Sequence, residues 1–260
     1  MMRSARLFPA PAAPAVLPGQ TVASFARLMP YGYPGDCELI DRIYQEWLSP
    51  DPTLGQRDRD FHAQPAPRAL RAVKAAFQTW LGAAESEVRP RDPTLHLLLL
   101  GGGPGRELLE YFQRAAASRV VCTYLDPDPR AIAYAMRVCA PVSARIAFQA
   151  ANPFGFRTAG TPHLIWAAGV FDHLEESAAI GLLRRLWDML APGGRLAATH
   201  FLPGHRGRAF LESLGWTVHC RDESQVITLA RTAGVPLPAV QIRSESEKIL
   251  GYLHLEKPGN

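Results

Sequence analysis

Five apolar runs mark the later part of the chain, at residues 95–100, 119–125, 145–149, 163–168 and 194–199. Runs this short and this continuous suit strands buried on both faces. Between most of them the apolar residues recur at helical spacing, over Glu107–Arg114, Arg130–Cys139 and Glu175–Leu190. Strand and helix taking turns in this way predicts a parallel sheet with helices on both faces. The ending breaks the rhythm. Helical patterns at 206–214 and 222–233 lead to apolar segments at 237–243 and 248–256 with no helix between them, which predicts an antiparallel hairpin at the sheet edge.

The earlier part reads differently. Thr21–Met29 is weakly helical and stops at Pro30, and "YGYPGD" reads as a turn. Asp36–Leu48 predicts a helix with Ile40, Ile43, Tyr44 and Trp47 on one face, and the stripe of Ile40, Ile43 and Trp47 is expected to be the seam with the sheet. Ser49–Pro67 is polar and broken by prolines, hence a predicted loop. "APRALRAVKAAFQTWLGAA" predicts a second helix with Leu70, Val73, Ala76, Phe77 and Trp80 on one side, and Pro90 and Pro93 close the region. The expected organisation is a flexible Pro/Ala-rich arm over residues 1–20, a helical cap over 21–90 and an α/β domain over 91–260.

Composition narrows the classes. The chain has 260 residues, 47% of them hydrophobic, enough for a sizeable core. Lys and Arg number 28 against 24 Asp and Glu, and the excess is scattered without a basic stripe, so no nucleic-acid partner is expected. No stretch approaches the ~20 apolar residues of a membrane span. Prolines at 9, 11, 14 and 18 interrupt what a secretory segment would need as a continuous apolar run. Cys37, Cys122, Cys139 and Cys220 show no CxxC spacing, which fits free thiols in a reducing cytoplasm. No His, Cys and carboxylate spacing suggests a metal site.

The stretch "LHLLLLGGGPGRELLEY" passes from aliphatic strand to charged helix through Gly101, Gly103 and Gly105. Glycine allows backbone angles that other residues avoid and lets a ligand approach the chain, although a tight turn alone also selects it. The next apolar run ends in Asp126, about twenty residues on, where a carboxylate can accept hydrogen bonds from ribose hydroxyls. Capping of the following helix is the other reading of Asp126, and Asp128 is better placed for that task.

Together "LLLLGGGPGREL", "TYLDPDPRAI", "ANPFGF", "LIWAAGVFDHLEE" and "LAPGGRLAATHF" resemble a class I S-adenosylmethionine (SAM) dependent methyltransferase, from about Leu95 to Lys257. The resemblance implies a Rossmann-like, mostly parallel sheet with an antiparallel C-terminal hairpin and, here, an N-terminal α-helical cap. It implies SAM as cofactor, with the glycine loop at the amino acid end, Asp126 on the ribose, and Ala151 and Asn152 beside the adenine. A dehydrogenase fits the "APGG" turn and the antiparallel ending poorly. "YGYPGDCELIDRIY", "GVFDHLEE" and "CRDESQVITLARTAGV" are further similar to a bacterial group associated with 3-hydroxypalmitic acid methyl ester biosynthesis. Relatives that cyclise SAM to azetidine-2-carboxylate are similar in build. Many class I enzymes carry an acid two positions before the first glycine; Leu99 stands there, so Glu107 or Asp36 is the candidate partner for the SAM ammonium.

Asp172 and His173 follow the fourth apolar run, in the crevice where open sheets bind ligands. His173 can act as a base near neutrality; the alternative is that Asp172 caps the next helix and His173 packs beside it. Tyr31 and Tyr33 are candidates to cover the pocket and face a sulfonium, or to pack within the turn. His200, at the end of the fifth run, is a further candidate to touch substrate. The expected chemistry is methyl transfer to a carboxylate or hydroxyl of a small molecule, in secondary-metabolite or fatty-acid-derived biosynthesis. The alternative is closure of the aminobutyrate arm of SAM into a four-membered ring with loss of methylthioadenosine. A non-catalytic scaffold fits less well, because it need not keep a glycine loop and Asp126. Oligomeric state is not addressed by the sequence.

Overall fold

The computed structural model describes residues 20–88, 93–158 and 160–259. The expected Pro/Ala arm, except Gln20, lies outside these residues, as does Pro90 and with it the expected boundary at 90. The order opens with four helices, α1 (Val22–Leu28), α2 (Cys37–Tyr44), α3 (Pro52–His62) and α4 (Pro65–Glu87). The strands are β1 (Leu95–Leu100), β2 (Val120–Asp126), β3 (Ile146–Ala150), β4 (Leu164–Ala167), β5 (Arg195–Phe201), β6 (Val240–Ser244) and β7 (Leu250–Glu256). Helices α5 (Arg106–Arg114), α6 (Pro129–Val138), α7 (Glu176–Met189), α8 (Arg208–Ser213) and α9 (Glu223–Thr232) join them.

The seven strands form one sheet in the order β3-β2-β1-β4-β5-β7-β6. The first five are parallel; β7 runs antiparallel to β5, and β6 antiparallel to β7. This is the parallel sheet with an antiparallel C-terminal hairpin that the pattern predicted, in the Rossmann-like arrangement that the resemblance implied. Successive residues of a strand face opposite sides, so Leu97 and Leu99 of β1 join one core while Leu98 and Leu100 join the other. The second core is closed by Leu182, Leu183 and Leu186 of α7 with Val226 and Leu229 of α9. The first holds Leu108 of α5, Ile132 of α6 and Phe77 and Leu81 of α4, with Trp166 of β4 packed 5.2 Å from the Phe77 ring centroid.

The N-terminal helices belong to that first core. Val22 and Phe25 of α1 and Leu39 and Ile43 of α2 are buried in the same cluster as the sheet residues. Two expectations need correction here. Helix α2 stops at Tyr44, short of Leu48, because Glu46 adopts φ +50° and the Trp47 N–H turns back to the Arg42 carbonyl. The expected loop Ser49–Pro67 contains α3, started by Asp51, whose carboxylate accepts the Thr53 and Leu54 N–H groups, with Pro52 at the first helical position. Its buried side is anchored by Asp58, fully buried, which accepts the Val22 N–H at 2.7 Å and the Ser49 N–H at 2.8 Å.

Candidate functional site

β1 ends at Leu100 and the chain turns directly through the glycines into α5. Gly101 and Gly103 hold φ of +60° and +56°, a region that costs an L side chain roughly 1–2 kcal/mol. A Cβ on Gly101 would lie 2.7 Å from Val170 Cγ2, whereas one on Gly103 would meet only Ile40, at 3.7 Å. Packing therefore demands the first glycine, and the second keeps open the space between the loop and α2. Tyr124, fully buried on β2, donates a 2.5 Å hydrogen bond to the Gly103 carbonyl and holds the loop in place. Gly105 does not line this space. It begins α5 against Cys139, whose Sγ would lie 2.8 Å from an added Cβ, so its role is packing.

The pocket, a cavity of about 170 Å³, lies beyond the C-terminal ends of the parallel strands, where ligands of such sheets bind. Gly101–Pro104, Asp126, Ala168–Val170 and Thr199 line it from the sheet side; Tyr33 lines it from the turn before α2, and Ile40 and Tyr44 from α2 itself. Ile40 lines the cavity and, like Trp47, also packs against the first core, while Ile43 is fully buried within it, so the expected seam is present and Ile40 lies at its cavity edge. Among the lining residues Glu107, Asp126 and Asp172 are carboxylates, and none is Lys or Arg.

Each of those acids is held out of water. Glu107, in the first turn of α5, is buried, its Oε2 has no hydrogen-bond partner, and burial pushes its carboxyl up to about 8. Asp126 ends β2; its Oδ1 accepts the Asp128 N–H at 2.8 Å, and burial raises it to about 7. Asp128, not Asp126, caps α6. Asp172 is raised to about 7 by burial, an effect opposed by the Phe201 N–H that its Oδ1 accepts at 3.0 Å and by Arg221. It does not cap α7, whose N-cap position is Glu175. Its work is to tie the turn after β4 to the end of β5. Arg221 clamps the same turn from the other side, donating to the carbonyls of Phe171 at 2.7 Å and Leu174 at 2.5 Å. His173, on that turn, lines the pocket, and burial and nearby His219 lower its pKa, so its imidazole is neutral near pH 7.

Of the other candidates, Tyr33 lines the pocket and donates to Asp128 Oδ2 at 3.2 Å. Tyr31 does not line it; its ring lies 5.0 Å from the Arg130 guanidinium and its carbonyl accepts Arg130 Nη2 at 2.8 Å. Asp36 is likewise outside the lining. Its Oδ1 accepts the N–H groups of Glu38 and Leu39, so this carboxylate starts α2. Ala151 and Asn152 shape the loop after β3, where Asn152 Oδ1 accepts the Phe154 N–H, and the following Pro153 and Phe154 line the pocket in their stead. His200 faces away from Thr199 and Phe201 by strand alternation; it is buried against Gly251 and lowered to about 4. The sequence reading missed Tyr124, Phe154 and Arg221. An aromatic in the short proline-containing loop after β3 was a usable signal for Phe154; Arg221, with partners 47 and 50 residues away, left none.

No family model matches the sequence, and neither does any curated protein. Among solved structures the chain is similar to a Bordetella parapertussis protein described as a possible exported protein, with TM-score 0.68 and 20% identity over 86% of this chain and 80% of that one. It is similar to an O-methyltransferase family protein from Burkholderia thailandensis, with TM-score 0.57 and 14% identity over 81% of this chain and 61% of that one. It is also similar to the N-methyltransferase NodS from Bradyrhizobium japonicum WM9 in complex with S-adenosyl-L-homocysteine, with TM-score 0.51 and 18% identity over 84% of this chain and 98% of that one. Among the described residues no helix is long and apolar enough to cross a membrane, and no group of three or more His, Cys, Asp or Glu side chains is arranged to hold a metal ion. At these identities the likeness establishes the fold, a Rossmann-like sheet of the class I methyltransferase type.

Proposed function

We propose that the chain binds SAM in this pocket and transfers its methyl group to a hydroxyl or carboxylate of a small molecule. One observation carries the reading: a pocket beside a glycine loop that is lined by three carboxylates and by no Lys or Arg. Such a lining suits a ligand with positive charges, as SAM has on its sulfonium and ammonium, and opposes the phosphates of a dinucleotide. The fit extends to particular groups. Glu107, with its unpartnered Oε2, would hold the ammonium; Asp126 would accept from the ribose hydroxyls; Pro153 and Phe154 would flank the adenine; and the ring of Tyr33 offers its face to a cation. The bound cofactor would supply a methyl group already made electrophilic by the sulfonium.

The protein's share is then alignment and exclusion of water. Tyr33, Ile40 and Tyr44 close the pocket from the side opposite the strands. A neutral imidazole nitrogen of His173 would take the proton of an attacking hydroxyl, with Asp172 and Arg221 as positioning residues that fix its turn. A lining of this charge suits a small-molecule acceptor, and four free thiols are in keeping with a cytoplasmic location. Calorimetry with SAM, followed by mass spectrometry of the nucleoside product, tests the reading. S-adenosylhomocysteine formed only when an acceptor is supplied supports it. Methylthioadenosine formed from SAM alone overturns methyl transfer in favour of cyclisation, and a folded protein that does not bind SAM overturns both.

A further inference from the structure

We infer that the end of the pocket beside β5 and β7 is an acceptor subsite that takes an uncharged, apolar hydroxyl compound and rejects free acids. The inference rests on the proposed function and decides between its two acceptor classes. The pocket runs along the sheet edge from Asp126 at the end of β2, past β1, β4 and β5, to Leu250 at the start of β7. Four strand spacings separate those ends, about 19 Å. The glycine loop, Asp126 and Phe154 occupy the first part. The far part is walled by Tyr44, Leu70, Val73, Phe201, Trp216 and Leu250, contributed by two helices, two strands and the segment after α8.

That wall supplies no cation to an anion. The nearby cations are already committed: Lys74 Nζ to Glu110 at 2.6 Å, Arg106 to Asp41, Arg71 to Glu46 at 3.4 Å, and Arg221 to two backbone carbonyls. A carboxylate entering here would shed its water, meet no positive charge, and lie near Glu107 and Asp172, which line the same cavity. A neutral hydroxyl on an apolar body loses far less on entry. The same chemistry that welcomes a cationic cofactor at one end therefore selects against an acidic acceptor at the other.

The test is calorimetry on the full chain saturated with S-adenosylhomocysteine, comparing 2-naphthol with 2-naphthoate at pH 7. These probes share one apolar body and differ in the group presented. The expected result is a dissociation constant for 2-naphthol lower by about tenfold or more, the scale of an uncompensated buried charge. Leu70→Lys, at a half-buried wall position, is expected to narrow or invert that ratio by supplying an ammonium. Equal or tighter binding of 2-naphthoate by the wild-type chain, or no binding of either probe, overturns the inference whether or not the variant folds. The nucleoside titration is read first: its failure in the wild-type chain counts against the cofactor reading, while its success with the wrong naphthalene order counts against the acceptor inference alone.

Discussion

The glycine loop and the turn leading into α2 face each other across the pocket and are held by opposite means. The loop owes its shape to missing atoms: positive φ at Gly101 and Gly103, and neighbours such as Val170 that leave no room for a Cβ. The facing turn and helix are held by polar side chains. Asp41, buried in α2, accepts from Arg106 Nη2 at 2.8 Å, from the Tyr134 hydroxyl at 2.9 Å and from Gln45 at 2.8 Å. Tyr33 donates to Asp128, and Arg130 joins Asp128 to the Tyr31 carbonyl. A site made of absences responds to substitution almost as a switch. A site made of several polar pairs loses its parts by degrees. The two sides should therefore give very different ladders of mutational effect.

Gly103→Val gives the largest expected effect. The branched side chain would occupy the space facing Ile40 at an unfavourable φ, and SAM binding is expected to fall below detection in calorimetry while a thermal melt still shows a cooperative fold. Glu107→Gln comes next, with a loss in SAM affinity of about 2–5 kcal/mol, the scale for truncating one member of a buried charge pair; unchanged affinity would remove Glu107 from the ammonium site. Asp126→Ala should lose about 1.5–3 kcal/mol, the range for hydrogen bonds to a charged group. A 2′,3′-dideoxyribose analogue of SAM should be indifferent to that change, and an equal loss for the analogue would make the carboxylate structural. On the opposite side, Tyr33→Phe removes one 3.2 Å hydrogen bond and should cost only about 0.5–1.5 kcal/mol of SAM affinity. A Tyr33→Phe loss as large as that of Glu107→Gln would erase the contrast between the two sides.

The same acids set a pH signature on the loop side. Glu107 at about 8, and Asp126 and Asp172 at about 7, bind protons in the folded protein that they release when unfolded, where carboxyls titrate near 4. Stability present below that unfolded range is therefore lost as pH rises through about 7 and 8. The melting temperature of the ligand-free chain should fall from pH 5 to 8, and Glu107→Gln should flatten the upper part of that fall. A cationic ligand favours the ionised forms, so SAM affinity should rise over the same interval, by up to about tenfold per pH unit for each acid that ionises on binding. A flat affinity profile would mean that these carboxyls do not meet the ligand's charge.

Much of this arrangement was legible because parallel strands buried on both faces leave unbroken apolar runs and need glycine where they turn toward a ligand. β1 and its loop were readable for that reason, and Asp128 could be separated from Asp126 by its place just before the helical pattern that starts at Arg130. α3 was hidden because its buried side carries Gly55, Asp58 and His62 beside Phe61, so no apolar period marks it. The apolar stripe of α2 was visible, but periodicity cannot tell whether a residue such as Ile40 meets protein or cavity. Asp172 looked like either a cap or a catalyst; its partner, the Phe201 N–H, lies 29 residues away and has no local trace. Val22 and Phe25 are buried in the core on one face of the sheet, so the N-terminal helices and the sheet share that core.

The hydrogen bond from Tyr124 to the Gly103 carbonyl carries a last consequence. The peptide unit that follows is Gly103–Pro104, and proline has no N–H. Its carbonyl is already engaged by Tyr124. This peptide, in the middle of the loop, therefore has no donor to offer a ligand and an acceptor that is already engaged, where phosphate-gripping loops present rows of amide N–H groups. The loop is mute at its centre, and what it recognises there it must recognise by contour.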